Sequence, residues 1–480
     1  MTDDCGPFYV AASQSRLNST VAEMNNAADP PDTMGAMGPN HFIQIGNYSI
    51  KIYRRDGTTE SNWNTTTAYF FAMPNQLSAL GGAIDPRVIY DPVSATWFAS
   101  AMERNGTDGT VGGNNNVILA VSVGSNPVAQ SGTNWINQSW TKYRIPLAQA
   151  GKFLDFPTLG VDGNGVYIAA NYFVSGSYNS QQIAAIRKDT LLAGTLIPTV
   201  FNPASTVSSP SAWGAIQPVV NLESVGPTAP AWFVRTAKGA TQGIEYRYLT
   251  WDASHVPTFA IGWQTLANAT YFGNPTFANS PPGTTDYQVA LGGVGDRLST
   301  ANARAAGGVT SIWTCHGVQI YMGPTQGLRN GCEWMKLNIN AVPNPQTLQI
   351  NASGLVYDST TPAQDDAMSY YFPSIAVNSR GDAIMGFSGS SKTQYISTYY
   401  TGRPSGGSMS SPILLHAGDY TYYKWHTYGS ILAPLGDYSA TFFDPKNPGT
   451  LWTFQTYAIS AGCSGATCSE WDTWLNAISP

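Results

Sequence analysis

Leu435-Gly436-Asp437-Tyr438-Ser439-Ala440-Thr441-Phe442-Phe443-Asp444 is a polar start, a short strand of alternating character and an acidic stop. Asp444-Pro445-Lys446-Asn447-Pro448-Gly449 then reads as a turn, and Leu451-Trp452-Thr453-Phe454-Gln455-Thr456-Tyr457 as a second strand with an aromatic centre. This hairpin recurs. Asp85-Pro86-Arg87-Val88-Ile89-Tyr90-Asp91 leads into Trp97 to Ala101, and Asp155 to Asp162 leads into Val166 to Ala170. Tyr371 to Asn378 leads into Ala383 to Phe387, and fainter copies begin at Asp32, Gln217 and Asp296. The seven starts, at 32, 85, 155, 217, 296, 371 and 437, lie on average about 67 residues apart, room for four strands and their loops. Such a repeat predicts an all-β chain folded as one seven-bladed β-propeller of four-stranded blades.

The last copy holds only three strands, ending with Glu470 to Ile478. Residues 1–31 carry one strand-like stretch, Phe8 to Ala12, before a polar run. The expectation is a segment 1–31 that lends the missing strand to the last blade, and a propeller over 32–480 closed by its two ends. Closure removes an exposed sheet edge.

Composition narrows the function. Charged residues are 11% of the 480, aromatics 12%, with 48 Gly and 31 Pro, as is common in secreted β proteins. A net charge of −6 argues against a general nucleic-acid binder. No apolar run approaches the roughly 18 residues of a membrane span. Met1-Thr2-Asp3-Asp4 lacks the basic start and apolar core of a signal peptide, so a processed or recombinant start to an extracellular, monomeric protein is expected. The five cysteines lack zinc spacing; the expected pairing is Cys463–Cys468 and Cys315–Cys332, with Cys5 left over. Asn-x-Ser/Thr triplets are no guide in a chain so rich in these residues.

Topology says where chemistry would gather. Every innermost strand of a four-stranded blade starts on the same face of the disc, so Asp32, Asp85, Asp155, Gln217, Asp296, Tyr371 and Asp437 converge on one mouth of the central channel. Second strands return to that face with Glu103, Arg104, Tyr172, Arg235, His316 and Tyr457, and a loop with His426 precedes the last blade. The recurring aspartates suit a fastening role, accepting backbone N–H groups of the neighbouring blade. The alternative is an acidic ring that binds a hard cation such as Ca²⁺, with Asp32, Asp296 and Asp437 as ligands, or that supplies a catalytic pair. The non-repeating groups mark function better. Trp97, Tyr167, Trp232, Trp313 and Trp452, at matching places on second strands, are expected to pack between blades. No GxSxG, HExxH, P-loop or dinucleotide fingerprint is present.

The chain resembles a group of secreted bacterial β-propeller proteins. The resemblance rests on Asp32-Thr33-Met34-Gly35-Ala36-Met37-Gly38-Pro39-Asn40-His41, Asp85 to Asp91, Pro373 to Asn378 and Gly436 to Thr441. It implies the fold and carries no activity.

Three functions fit. One is a polysaccharide-degrading enzyme acting on a polysaccharide or oligosaccharide. A hydrolase would pair Glu103 with Asp85 or Asp155, at about 5–5.5 Å or about 6.5–9.5 Å according to mechanism. A lyase would use His316 or Tyr371 as base, with Arg235 and Arg297 at a uronate carboxylate. Arg87, Arg104, Tyr172, His426 and Tyr457 would complete substrate binding, without an organic cofactor. The second is a glycan-binding propeller that works through exposed Trp and Tyr, and the third a structural scaffold.

Overall fold

A computed structural model describes residues 9–17, 30–47, 49–72, 82–103, 115–128, 135–202, 214–237, 243–267, 275, 277–281, 288–291, 295–324, 327–340, 345–361, 366–422, 432–460 and 469–479. The chain is an all-β propeller of seven antiparallel blades. The innermost strands, in blade order, are Met34–Met37, Ala83–Asp91, Phe153–Val161, Gln217–Pro218, Leu298–Ala306, Ser369–Val377 and Ala440–Phe443. The last blade has Leu451–Ser460 and Ser469–Ser479 as its second and third strands, and Tyr9–Leu17 pairs antiparallel with the latter as its fourth. The two ends of the chain therefore close the ring, with a closing strand longer than Phe8 to Ala12.

Inner strands are small and apolar because seven of them crowd one axis. Where the inner strands of blades 2, 3, 6 and 7 end, on the face away from the aspartates, an acid or amide (Asp91, Asp162, Asn378, Asp444) caps the turn. Asp91 accepts the amides of Val93 and Ser94, Asp162 those of Asn164 and Gly165, and Asp444 those of Lys446 and Asn447. Two of these carboxylates also take the second-strand aromatic: Tyr167 Oη donates to Asp162 and Trp452 Nε1 to Asp444. Trp97, Tyr167, Trp232, Trp313 and Trp452 are all buried. Gly38 of blade 1 has no room for a Cβ, which would stand 2.3 Å from the Trp97 ring of blade 2.

The starts of the inner strands are bent. In blades 1, 2, 3 and 6 a residue with positive φ stands two before the point where pairing with the second strand begins or resumes: Asp32 (45°), Asp85 (55°), Phe156 (53°) and Phe372 (52°). Proline follows in blades 2, 3 and 6. By this register Asp85 matches Phe156 and Phe372 rather than Asp155 and Tyr371, so the aspartate repeat is displaced by one residue between blades 2 and 3. A bulky side chain in the left-handed region costs roughly 1–3 kcal/mol and persists only where its surroundings enforce it.

A small three-stranded sheet lies outside the blades: Phe277–Asn279, Gln288–Ala290 and Leu432–Pro434. It joins the connection into blade 5 with the connection into blade 7, passing blade 6, and Ser390 Oγ of blade 6 donates to Asn279 O at 2.5 Å.

The expected Cys315–Cys332 bridge is absent: both are buried free thiols. In the register, Cys315 faces Trp334 and Cys332 faces Gly317, so the two are diagonal neighbours on adjacent strands. Diagonal pairs lie about 7–8 Å apart at Cα, beyond ordinary disulfide reach. Cys5, Cys463 and Cys468 fall outside the described residues.

Candidate site at the axial mouth

Each junction between adjacent inner strands is tied by a side chain reaching a backbone group next door. Asn47 Oδ1 accepts the Asp85 amide at 2.7 Å (blades 1 and 2), and Arg87 Nε donates to Pro157 O at 3.3 Å (2 and 3). Thr158 Oγ1 reaches Ile216 O at 2.6 Å (3 and 4), and Gln217 Nε2 reaches Leu298 O at 2.8 Å (4 and 5). Asn302 Nδ2 reaches Ile375 O at 2.7 Å, Ser439 Oγ reaches Phe372 O at 2.8 Å, and Asp32 Oδ1 accepts the Asp437 amide at 2.7 Å across the closing seam. Asn47 Nδ2 also donates to Asp32 Oδ2 at 2.7 Å, so one asparagine links blades 7, 1 and 2. Gly436, at φ 111°, precedes the seam because a Cβ there would press on Asp32 N and Oδ1 at 3.1–3.2 Å. Among these described ties, Asp32 is the aspartate whose carboxylate takes a neighbouring backbone amide, as expected; the others use amides, hydroxyls and an arginine.

Four of the five expected aspartates share one electrostatic neighbourhood. Burial pushes the Asp437 carboxyl up to about 8, with the Asp32 charge adding and Arg297 and Arg87 opposing. Burial pushes Asp32 to about 6 against the pull of the Asp437 amide and Asn47. It also drives Asp85 well above the usual range, helped by Asp32, Asp155 and Asp437, and raises Asp155 against the pull of Arg297. Asp32 and Asp85 are buried, while Asp155 and Asp437 keep part of their surface open.

Aromatic rings and two arginines fill the centre. The Arg87 guanidinium lies 3.7 Å from the Tyr438 ring centroid and 5.6 Å from that of Phe156, and Arg297 lies 5.0 Å from the latter. Phe156 and Tyr438 pack at 5.0 Å, and Tyr438 Oη lies 3.4 Å from Asp85 Oδ2. The strained backbone at Phe156 thus serves to set its ring at this hub. Below it, a cavity of about 120 Å³ runs along the axis, bounded by all seven inner strands from Met34 and Arg87 to Tyr90, Arg304 and Phe443. That is space for several waters or one small molecule, and its lining runs to the far ends of the inner strands at Tyr90, Arg304 and Phe443.

The remaining expected residues lie elsewhere. Asp296 is buried beside His316, its carbonyl 2.9 Å from Nδ1. His316 is enclosed, with Nε2 2.9 Å from Glu333 Oε2; burial disfavours its proton, yet the Glu333 contacts prevail and raise its pKa. Glu103 is buried in an ion pair with Arg144 at 2.5 Å. Arg235 is paired with Glu245 and Gln181 and lies 4.0 Å from the Trp263 ring centroid. The buried Tyr371, Tyr172 and Tyr457 hydroxyls lie within hydrogen-bond distance of Ser390, Leu147 O and Asp472. Arg104 and His426 fall outside the described residues. Among the described residues no group of three or more His, Cys, Asp or Glu stands close enough together to hold a metal ion.

The mouth holds three residues that sequence reasoning passed over: Phe156, Tyr438 and Asn47. The first two carried a signal. Phe156-Pro157 repeats the step of Asp85-Pro86 and Phe372-Pro373, and Tyr438 follows Asp437 directly. Asn47 had none, since its partners lie in other blades.

No family model matches the chain, and no curated protein matches it. Solved structures do. An α-L-arabinofuranosidase of Fusarium graminearum aligns at 10% identity over 82% of this chain and 92% of that one, with a TM-score of 0.39. An α-L-arabinanase of Cellvibrio cellulosa aligns at 11% identity over 68% and 96%, with a TM-score of 0.31. A Dyadobacter fermentans protein of unknown function aligns at 8% identity over 83% and 94%, with a TM-score of 0.39. Likenesses this loose do not bear on the chemistry of the mouth.

Proposed function

We propose that the protein is a secreted glycoside hydrolase acting on a neutral oligosaccharide or polysaccharide at the aspartate mouth. One observation carries the reading: carboxylates from four blades share a single partly desolvated site in which burial and mutual repulsion separate their proton affinities. Glycoside hydrolysis needs one carboxyl that keeps its proton near neutrality and a second that is ionised. Asp437, raised to about 8 and partly open, is the general acid. Asp155, raised by burial but held back by the Arg297 charge and also partly open, is assigned the role of ionised partner. Arg87 and Arg297 lie against aromatic rings, an arrangement that balances the buried carboxylates rather than presenting a fork to an acidic sugar. A lyase is less well supported, because His316, Tyr371 and Arg235 are enclosed within blades.

The test is turnover on a panel of neutral polysaccharides and aryl glycosides, read as reducing ends and released phenol. Asp437→Asn is expected to lower kcat by about two orders of magnitude or more, while Glu103→Gln leaves the chemical step unaffected. Full activity in Asp437→Asn and Asp155→Asn together would remove the assignment.

A further inference from the structure

Among the described residues, the exposure of aromatic side chains is unequal between the two faces of the disc. Nearly every described aromatic ring is spent on packing, and among the described residues the exposed large aromatics are Tyr69, at 44%, and Tyr321, at 59%. Strand direction puts both on the face that holds the aspartates. Tyr69 follows the outer strand of blade 1, Thr59–Thr66, which runs toward that face. Tyr321 ends the second strand of blade 5, Val309–Tyr321, which runs the same way. On the opposite face the exposed large apolar residues among those described are aliphatic, with Val93, Val123, Val256 and Val309 among them.

Both tyrosines are carried on well-anchored backbone. Tyr69 lies in a single helical turn, Thr67–Phe71, whose N-cap Thr66 accepts the Tyr69 amide at 3.1 Å. Its neighbours Phe70 and Phe71 are fully buried, with Phe70 edge-on to Trp140 at 5.1 Å, so Tyr69 is the residue left on the outside. Blade 5 is built differently from the others. Its two middle strands are 13 residues each and keep pairing for five rungs beyond His316, from Gly317–Cys332 to Tyr321–Leu328. The hairpin therefore rises about 15 Å or more above the start of its inner strand. The Gly327 amide donates to Gly323 O at 2.9 Å and closes its tip, and Tyr321 faces the exposed Leu328 across it.

The two sites are half a turn of the ring apart: one lies between blades 1 and 2, the other on blade 5, and the aspartate mouth lies between them. With strands ~4.8 Å apart, the span is on the order of 30 Å. We infer that Tyr69 and Tyr321 are stacking platforms for a long, uncharged glycan laid across the face, whose middle passes over the mouth; its position over the mouth rests on the hydrolase reading above. A phenol ring offers a flat apolar surface to the C–H face of a pyranose while its hydroxyl stays wet, a pairing that aliphatic side chains on the other face cannot make. Two platforms on opposite sides of the site suit a polymer cut internally rather than one trimmed from an end.

The test uses native gels of the full-length protein cast with one of four neutral linear polysaccharides (a β-1,4-glucan, a xylan, a mannan or an arabinan). Retardation of the wild type by at least one is expected, with affinity falling about fivefold or more in Tyr69→Ala and in Tyr321→Ala, and further in the double variant. Tyr69→Phe and Tyr321→Phe should restore most of it, since the ring and not the hydroxyl is the platform. Asp437→Asn should be retarded like the wild type; if the wild type is retarded yet cleaves nothing, the hydrolase reading falls and the platforms stand. Should none of the four retard the wild type, or should both alanine variants migrate as it does, the inference is overturned.

Discussion

Asn47 illustrates how much of this ring depends on single polar side chains. Its carbonyl oxygen takes the Asp85 amide and its amide nitrogen holds Asp32, which in turn takes the Asp437 amide. Removing it leaves a backbone N–H and a carboxylate oxygen without these partners in a buried seam, where each loss costs about 1–3 kcal/mol. Asn47→Ala is therefore expected to lower the unfolding free energy by about 2–4 kcal/mol in a denaturant titration. Asn47→Asp is expected to be no milder, because it adds a charge beside Asp32. An unchanged midpoint in both would mean that water replaces the asparagine without penalty. Asp32 and Asp85 look alike in sequence, yet the first uses its carboxylate at the closing seam while the second presents its backbone amide at the next junction, between blades 1 and 2.

At the scale of elements, the closing strand Tyr9–Leu17 carries the greatest consequence per residue. Its pairing with Ser469–Ser479 turns an open row of blades into a ring and covers the last sheet edge. Deleting residues 1–17 is expected to lower Tm by several degrees or more and to produce aggregates on heating, read by calorimetry and light scattering. A variant that melts like the parent and does not aggregate would show that closure rests on the hub contacts alone. The inner-strand starts teach a related lesson. Sequence similarity aligned Asp85 with Asp155, but the left-handed residue before proline aligns Asp85 with Phe156. Backbone conformation, not side-chain identity, is what repeats.

Taken whole, the molecule stores protons at its axis. Asp32, Asp85, Asp155 and Asp437 all have folded-state pKa values raised by burial above the ordinary value near 3.9. A raised carboxyl binds its proton more tightly when folded, so its contribution to stability is fully present below about pH 4. It is lost as pH rises through about 6 for Asp32 and about 8 for Asp437. From this cluster alone, stability falls between pH 4 and pH 8, the reverse of the usual carboxylate trend. Tm measured across that range should decline in the wild type and decline less in Asp437→Asn. A variant curve parallel to that of the wild type would mean that other groups set the slope.

The chain by itself determined the architecture: a hairpin signal repeated seven times, too many short strands for anything but a closed ring, and an incomplete last blade that required a strand from the other end. These are local patterns of period two and turn chemistry, legible because each blade encodes its own strands. The second-strand aromatics were legible as packing for the same reason. The site was only half legible. Topology placed Asp32, Asp85, Asp155 and Asp437 at one mouth, but which second-strand groups join them depends on rotation about each strand and on partners in other blades. Glu103 turned to Arg144, His316 to Glu333 and Arg235 to Glu245, each on a strand of its own blade. Phe156, Tyr438 and Arg87 took the centre instead. The cysteine pair failed on a two-residue offset in register that spacing along the chain cannot reveal. Burial decided the proton affinities, because desolvation belongs to the assembled ring and to no single blade.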